Sequence, residues 1–74
     1  MDINIWDFYI EDYVSIIDSK GIEYKGVIVC MLGADEVDEG EDYLALLTNE
    51  KQVDFYKSDI KDIKLAQIPK QAMG

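Results

Sequence analysis

Histidine and arginine are absent from this chain of 74 residues, and cysteine and proline occur once each, as Cys30 and Pro69. One thiol cannot form an internal disulfide, and without histidine the chain lacks the ligands of a zinc or iron-sulfur site. No metal or other cofactor is therefore expected. The same absence removes the commonest general base, and Cys30 and the serines have no base beside them in sequence to activate a nucleophile. Carboxylate pairs alone would need a deep substrate cleft, which a chain this short hardly offers, so an enzyme is not expected. Without arginine there is no planar guanidinium for bidentate contacts to phosphate or guanine. Seven lysines face sixteen acids, for a net charge of -9. Such a surface repels a polyanion unless its lysines cluster. They do not: Lys20 and Lys25 flank one turn, while Lys51, Lys57, Lys61 and Lys64 alternate with Glu50, Asp54, Asp59 and Asp62. RNA binding is expected to be weak or nil. Long apolar runs are missing too. Val27 to Leu32, with Gly33 and Ala34 behind, falls far short of the ~20 residues that span a bilayer, and Met1-Asp2 lacks the basic start of a signal peptide. The expectation is a soluble cytoplasmic protein with no membrane contact.

What is present points to a folded domain. Hydrophobic residues make up 49% and charged residues 31% of the chain, which places it among globular rather than disordered sequences. Chains of this size bury only about 60 to 65% of the surface they expose when unfolded, so there is room for one core. A single domain is expected over residues 1–66, with a flexible tail over 67–74 that contains Pro69.

The periodicity changes along the chain. Ile3, Trp6, Ile10 and Tyr13 recur at helical spacing, which predicts a short helix over about residues 3–12, capped by Asn4 or Asp2 and carrying Asp7 in its first turn. An extended course through Ile3, Ile5 and Asp7 is the alternative. From Tyr13 the period becomes two. Strands are predicted at Val14–Asp18, Glu23–Leu32, Tyr43–Thr48, Gln52–Lys57 and Ile60–Leu65, with turns at Ser19-Lys20-Gly21, Asn49-Glu50 and Ser58-Asp59. Gly26 removes a side chain in the middle of the longest strand, where a small sheet has to bend sharply. Five short strands after a small helix predict a mostly β fold, a closed or nearly closed five-stranded antiparallel barrel.

Gly21 and Gly26, separated by four residues, with Tyr24 between them and Val27-Ile28-Val29 after, resemble the first signature of the Sm-like family of small SH3-like barrels. Phe55 to Ile63 is similar to its second, where a strand ends in a small turn and a last strand opens on a buried aliphatic. The resemblance covers residues 13–65 and implies strand-to-strand pairing of neighbouring barrels into a homo-oligomer. It also implies where RNA would bind, through a D-x-x-M-N stretch and an Arg-Gly pair. At those positions this chain has Leu32 for the Asp, Glu36 for the Asn and Lys57-Ser58 for the Arg-Gly. The family's fold is thus expected without its usual RNA pocket.

Asp35, Glu36, Asp38, Glu39, Glu41 and Asp42 crowd the connection between the second and third strands. As a calcium loop the segment is out of register: counted from Asp35, an EF-hand needs Asp or Asn at Val37 and Glu at Leu46. It is either a solvated spacer that keeps sheet edges apart, or an anionic strip that docks a basic protein surface. Cys30, inside an apolar strand, is expected to be a buried structural thiol, Trp6 a core anchor, and the five tyrosines mainly packing groups, with one or two at an interface. Three functional classes follow: a protein-interaction or oligomeric scaffold module, a degenerate RNA-binding ring, and an acidic mimic of nucleic acid that blocks a basic protein.

Overall fold

β-branched and polar residues alternate into extended backbone at the five expected places. The computed structural model describes residues 3–68, with strands β1 (Tyr13–Asp18), β2 (Glu23–Leu32), β3 (Tyr43–Leu47), β4 (Gln52–Tyr56) and β5 (Ile60–Leu65). All neighbours are antiparallel and the order is β4-β3-β2-β1-β5, a four-strand meander whose last strand returns against β1. Most of the expected tail, Pro69 included, and the Asp2 cap lie outside the described residues.

Two expectations about the architecture are corrected. The sheet is open, not a closed barrel, because β4 and β5 do not pair. The chain crosses from β4 to β5 through one 3-10 turn, Lys57–Asp59, and the Asp59 carboxylate accepts the Tyr56 N–H at 3.0 Å. A main-chain donor that closure would use is thereby taken where the two edges start to diverge. The predicted N-terminal helix is reduced to a 3-10 turn, Ile5–Asp7, with Asn4 accepting the Trp6 N–H at 3.1 Å. A ten-residue isolated helix rich in Ile and aromatic residues is a poor competitor. Here its backbone has better partners. The Asp12 carboxylate accepts the Tyr9 N–H at 2.9 Å, and Ile28 exchanges main-chain bonds with Glu11 (2.7 Å) and Asp12 (2.9 Å). Two residues opposite one, the first at φ +83°, make a β-bulge of the kind that usually has glycine there.

The core lies on one face of the sheet. Val14 and Ile16 of β1, Ile28 of β2, Leu44 and Leu46 of β3, Phe55 of β4, and Ile60 and Ile63 of β5 are buried together, with Ile5 over one end. A register shift at Val29 turns both Ile28 and Met31 toward this face, opposite Leu46 and Leu44. Strict alternation would have sent Cys30 inward; the shift puts it opposite Ala45 on the other face, half-buried. Trp6 is likewise no core anchor, being 46% exposed, and Ile5 beside it takes that role at 1%. No helix among the described residues is long and apolar enough to cross a membrane.

Candidate functional site

The acidic connection is knitted to the rest of the fold by its own carboxylates. After β2, Gly33 leads into a 3-10 turn, Ala34–Glu36, and the Glu36 side chain reaches back to accept the Gly33 N–H at 2.8 Å. Gly40 at φ +72° turns the chain toward β3. Glu41 then accepts two bonds from Ser58, from its N–H at 2.7 Å and its hydroxyl at 3.1 Å. Asp42 is the junction. Its carboxylate accepts the Ala34 N–H and the Trp6 indole N–H, both at 3.0 Å, and its carbonyl accepts the Lys57 N–H at 2.9 Å. One side chain and its carbonyl thus hold three segments far apart in sequence. No spacing in the sequence announces this, because Trp6 and Asp42 belong to different elements and meet only through the fold.

The six acids therefore do not form a uniform strip. Both carboxylate oxygens of Glu41 and of Asp42 are taken by the protein's own donors, and one of Glu36 is. Burial first, and then the nearby Glu39 carboxylate, push the Tyr56 phenol above its ordinary range. Asp35 and Asp38 are exposed. Among the described residues no group of three acidic or thiol side chains is placed to hold a metal ion.

The positions matching the Sm-like RNA pocket are partly brought together. Lys57 and Ser58 sit in the turn after β4, against Glu41 and the Asp42 carbonyl. Leu32 ends β2 opposite Tyr43, and Glu36 is occupied with Gly33. A carboxylate, not a donor, thus lies against Ser58.

Tyr43 and Tyr56 stand side by side across β3 and β4, ring centres 5.6 Å apart, with the Tyr43 hydroxyl donating to Asp54 at 3.0 Å. Burial, then the Asp54 carboxylate, push the Tyr43 phenol from 10.0 up to about 12. A phenol whose pKa is raised by folding stabilises the native state fully below its unfolded value and loses that contribution as pH rises through the folded one. Thermal unfolding followed from pH 10 to 12 should therefore show a fall in melting temperature across that window. Tyr43→Phe should flatten it, and an equally steep fall in that variant would assign the effect elsewhere.

The N-terminal turn supplies a second feature. Trp6, Phe8, Tyr9, Ile10 and Met31 line a shallow apolar depression of about 440 Å³. The indole is anchored by Asp42, and the Glu11–Ile28–Asp12 bonds fix the segment that presents Tyr9 and Ile10, 71% and 54% exposed. Helical spacing in the sequence points to Trp6 and Ile10 but assigns them to the core. No protein-family model matches the chain, and no curated protein and no solved structure is found to match it.

Proposed function

We propose that the protein is a non-catalytic module of Sm-like type that works through protein contacts and self-associates through its sheet edges. The unpaired edges of the open sheet carry this reading. Main-chain bonds between Thr48 and Lys51 and between Asp42 and Lys57 fix which residues of β4 face β3; by alternation the N–H and C=O groups of Gln52 and Asp54 point outward. On β5 the bond between Ala66 and Tyr13 leaves those of Ile63 and Leu65 outward, up to the register shift at Lys61. Such edges template pairing with another chain, and here one side offers Asp54 where the other offers Lys61 and Lys64. The return of β5 against β1, the 3-10 turn before it and buried Ile60 at its start support the family reading.

Sedimentation velocity tests it. Wild type should sediment as an oligomer, and Gln52→Pro or Leu65→Pro, each removing one outward N–H without touching the internal ladders, should give a folded monomer. A wild type that is monomeric throughout the micromolar range overturns the proposal. Tight, base-selective binding of uridine-rich RNA by the oligomer would instead favour the RNA-binding alternative, which the carboxylate of Glu41 beside Ser58 argues against. The internal use of Glu41 and Asp42 argues in the same way against a nucleic-acid mimic.

A further inference from the structure

Beyond edge pairing, we infer that the depression lined by Trp6, Phe8, Tyr9, Ile10 and Met31 is a docking site for a cationic segment of a partner protein, which seats an apolar side chain there. Exposed Leu65 and Ile68 share a groove with the charged Glu11, Asp12 and Lys25, whereas Trp6, Tyr9 and Ile10 share with half-buried Phe8 and Met31 a depression that has no charged side chain in its lining. A clustered patch of this kind marks an interaction site where single exposed side chains do not. It is also held in place before any partner arrives. Asp42 fixes the indole through its N–H, and the exchange of main-chain bonds with Ile28 fixes the segment that follows. Immobilised aromatic groups lose little further freedom on binding, which is what makes them effective anchors.

Charge selects the occupant. Asp7, Glu11 and Asp12 are interspersed with the lining residues, Asp42 holds the indole, and Asp35 and Glu36 follow Met31. Neither 3–19 nor 26–50 contains a basic residue, and Lys25, which lines a neighbouring groove with Glu11 and Asp12, does not line the depression itself. Lys57 bonds Asp42 through its backbone rather than its side chain. A second copy of the chain carries a net charge of -9, and like charges across an interface oppose docking. A segment with an aliphatic or aromatic residue flanked by lysine or arginine satisfies both the depression and its rim.

Trp6 is the sole tryptophan, so its emission reports on this site alone. Peptides selected from a random library on the full chain should carry an apolar residue flanked by basic ones, and should shift Trp6 emission to the blue as they saturate. Affinity should fall about tenfold or more in Ile10→Ser and in Tyr9→Ser, whose exposed positions leave the fold intact by circular dichroism, and by a similar factor when the peptide's apolar anchor becomes serine. The proposal is overturned by selected peptides that are neutral or acidic, by binding indifferent to Ile10, Tyr9 and the anchor, or by a library that yields no binder. An oligomer that disperses in Ile10→Ser, and not in the edge variants, would assign the depression to a second copy and overturn the cationic partner as well.

Discussion

Replacing Gly26 by valine should destabilise the protein by about 3 kcal/mol or more, a large part of the roughly 4 to 11 kcal/mol expected for a domain of this length. A Cβ built on Gly26 would run into the carbonyl oxygen of Leu47, with the Leu47 carbonyl carbon at 2.8 Å and the Thr48 Cα at 3.1 Å. These are backbone atoms where β3 ends, so no side chain can rotate aside to make room. Relief would have to come from shifting the β2–β3 ladder, which also positions Leu46 and Leu44 in the core. Gly40 provides the contrast. A Cβ there meets nothing within 4 Å, but its φ of +72° is unfavourable for an L-residue, so Gly40→Ala should cost about 1 kcal/mol. Chemical denaturation of the two variants gives the comparison. Similar midpoints would mean that β3 does not fold over Gly26.

The same glycine indicates how much of the fold is legible in the sequence. A missing side chain inside an otherwise apolar strand signals by itself that another segment approaches closely, and the strand segments follow from period-two patterning. The N-terminal segment and the closure cannot be read so. Ile3, Trp6, Ile10 and Tyr13 fit a helical face by spacing, yet the backbone of Glu11 and Asp12 gains more by bonding Ile28, sixteen or more residues away. Spacing counts side chains and is blind to such partners. The bulge at Val29 defeats alternation for a related reason, since one extra residue moves Cys30 to the opposite face without leaving a mark in composition.

The candidate sites divide along similar lines. That Asp35 to Asp42 is anionic is plain from composition, but which carboxylates are free depends on tertiary donors: the Ser58 N–H and hydroxyl for Glu41, the Ala34 and Trp6 N–H groups for Asp42. Asp18 is a further case. It stands at the end of β1, where its carboxylate accepts the Ile22 and Lys20 N–H groups at 2.9 Å each and the Tyr24 hydroxyl at 3.3 Å. The Ile22 bond above all holds its pKa below the ordinary carboxylate range, so its contribution to stability is present near neutrality and lost as pH falls through that depressed value. An aspartate three residues ahead of a turn glycine is a recognisable signal for such a role.

Phe55→Ala should cost about 3 to 5 kcal/mol, since the ring is 3% exposed and truncating a buried phenylalanine leaves a cavity. Its consequence for shape is larger than its share of the core. Phe55 stands opposite Leu44 on β3, and Leu44 opposite Met31 on β2, yet the ring meets Tyr24 near the other end of β2, edge to face with centres 5.4 Å apart. Along an extended strand Tyr24 and Met31 would be separated by roughly 23 Å, so in a flat sheet the two rings could not touch. The contact therefore requires the sheet to roll until β4 lies over the start of β2, although no ladder joins β4 to β5. Shape and stability can be separated by a double-mutant cycle. Phe55→Leu and Tyr24→Leu preserve apolar character while removing the aromatic contact, and their losses should fall short of adding, because either one alone already breaks it. Strict additivity, together with a Phe55→Ala cost below about 2 kcal/mol, would mean that the sheet is flatter and that its concave face is closed by something other than this pair of rings.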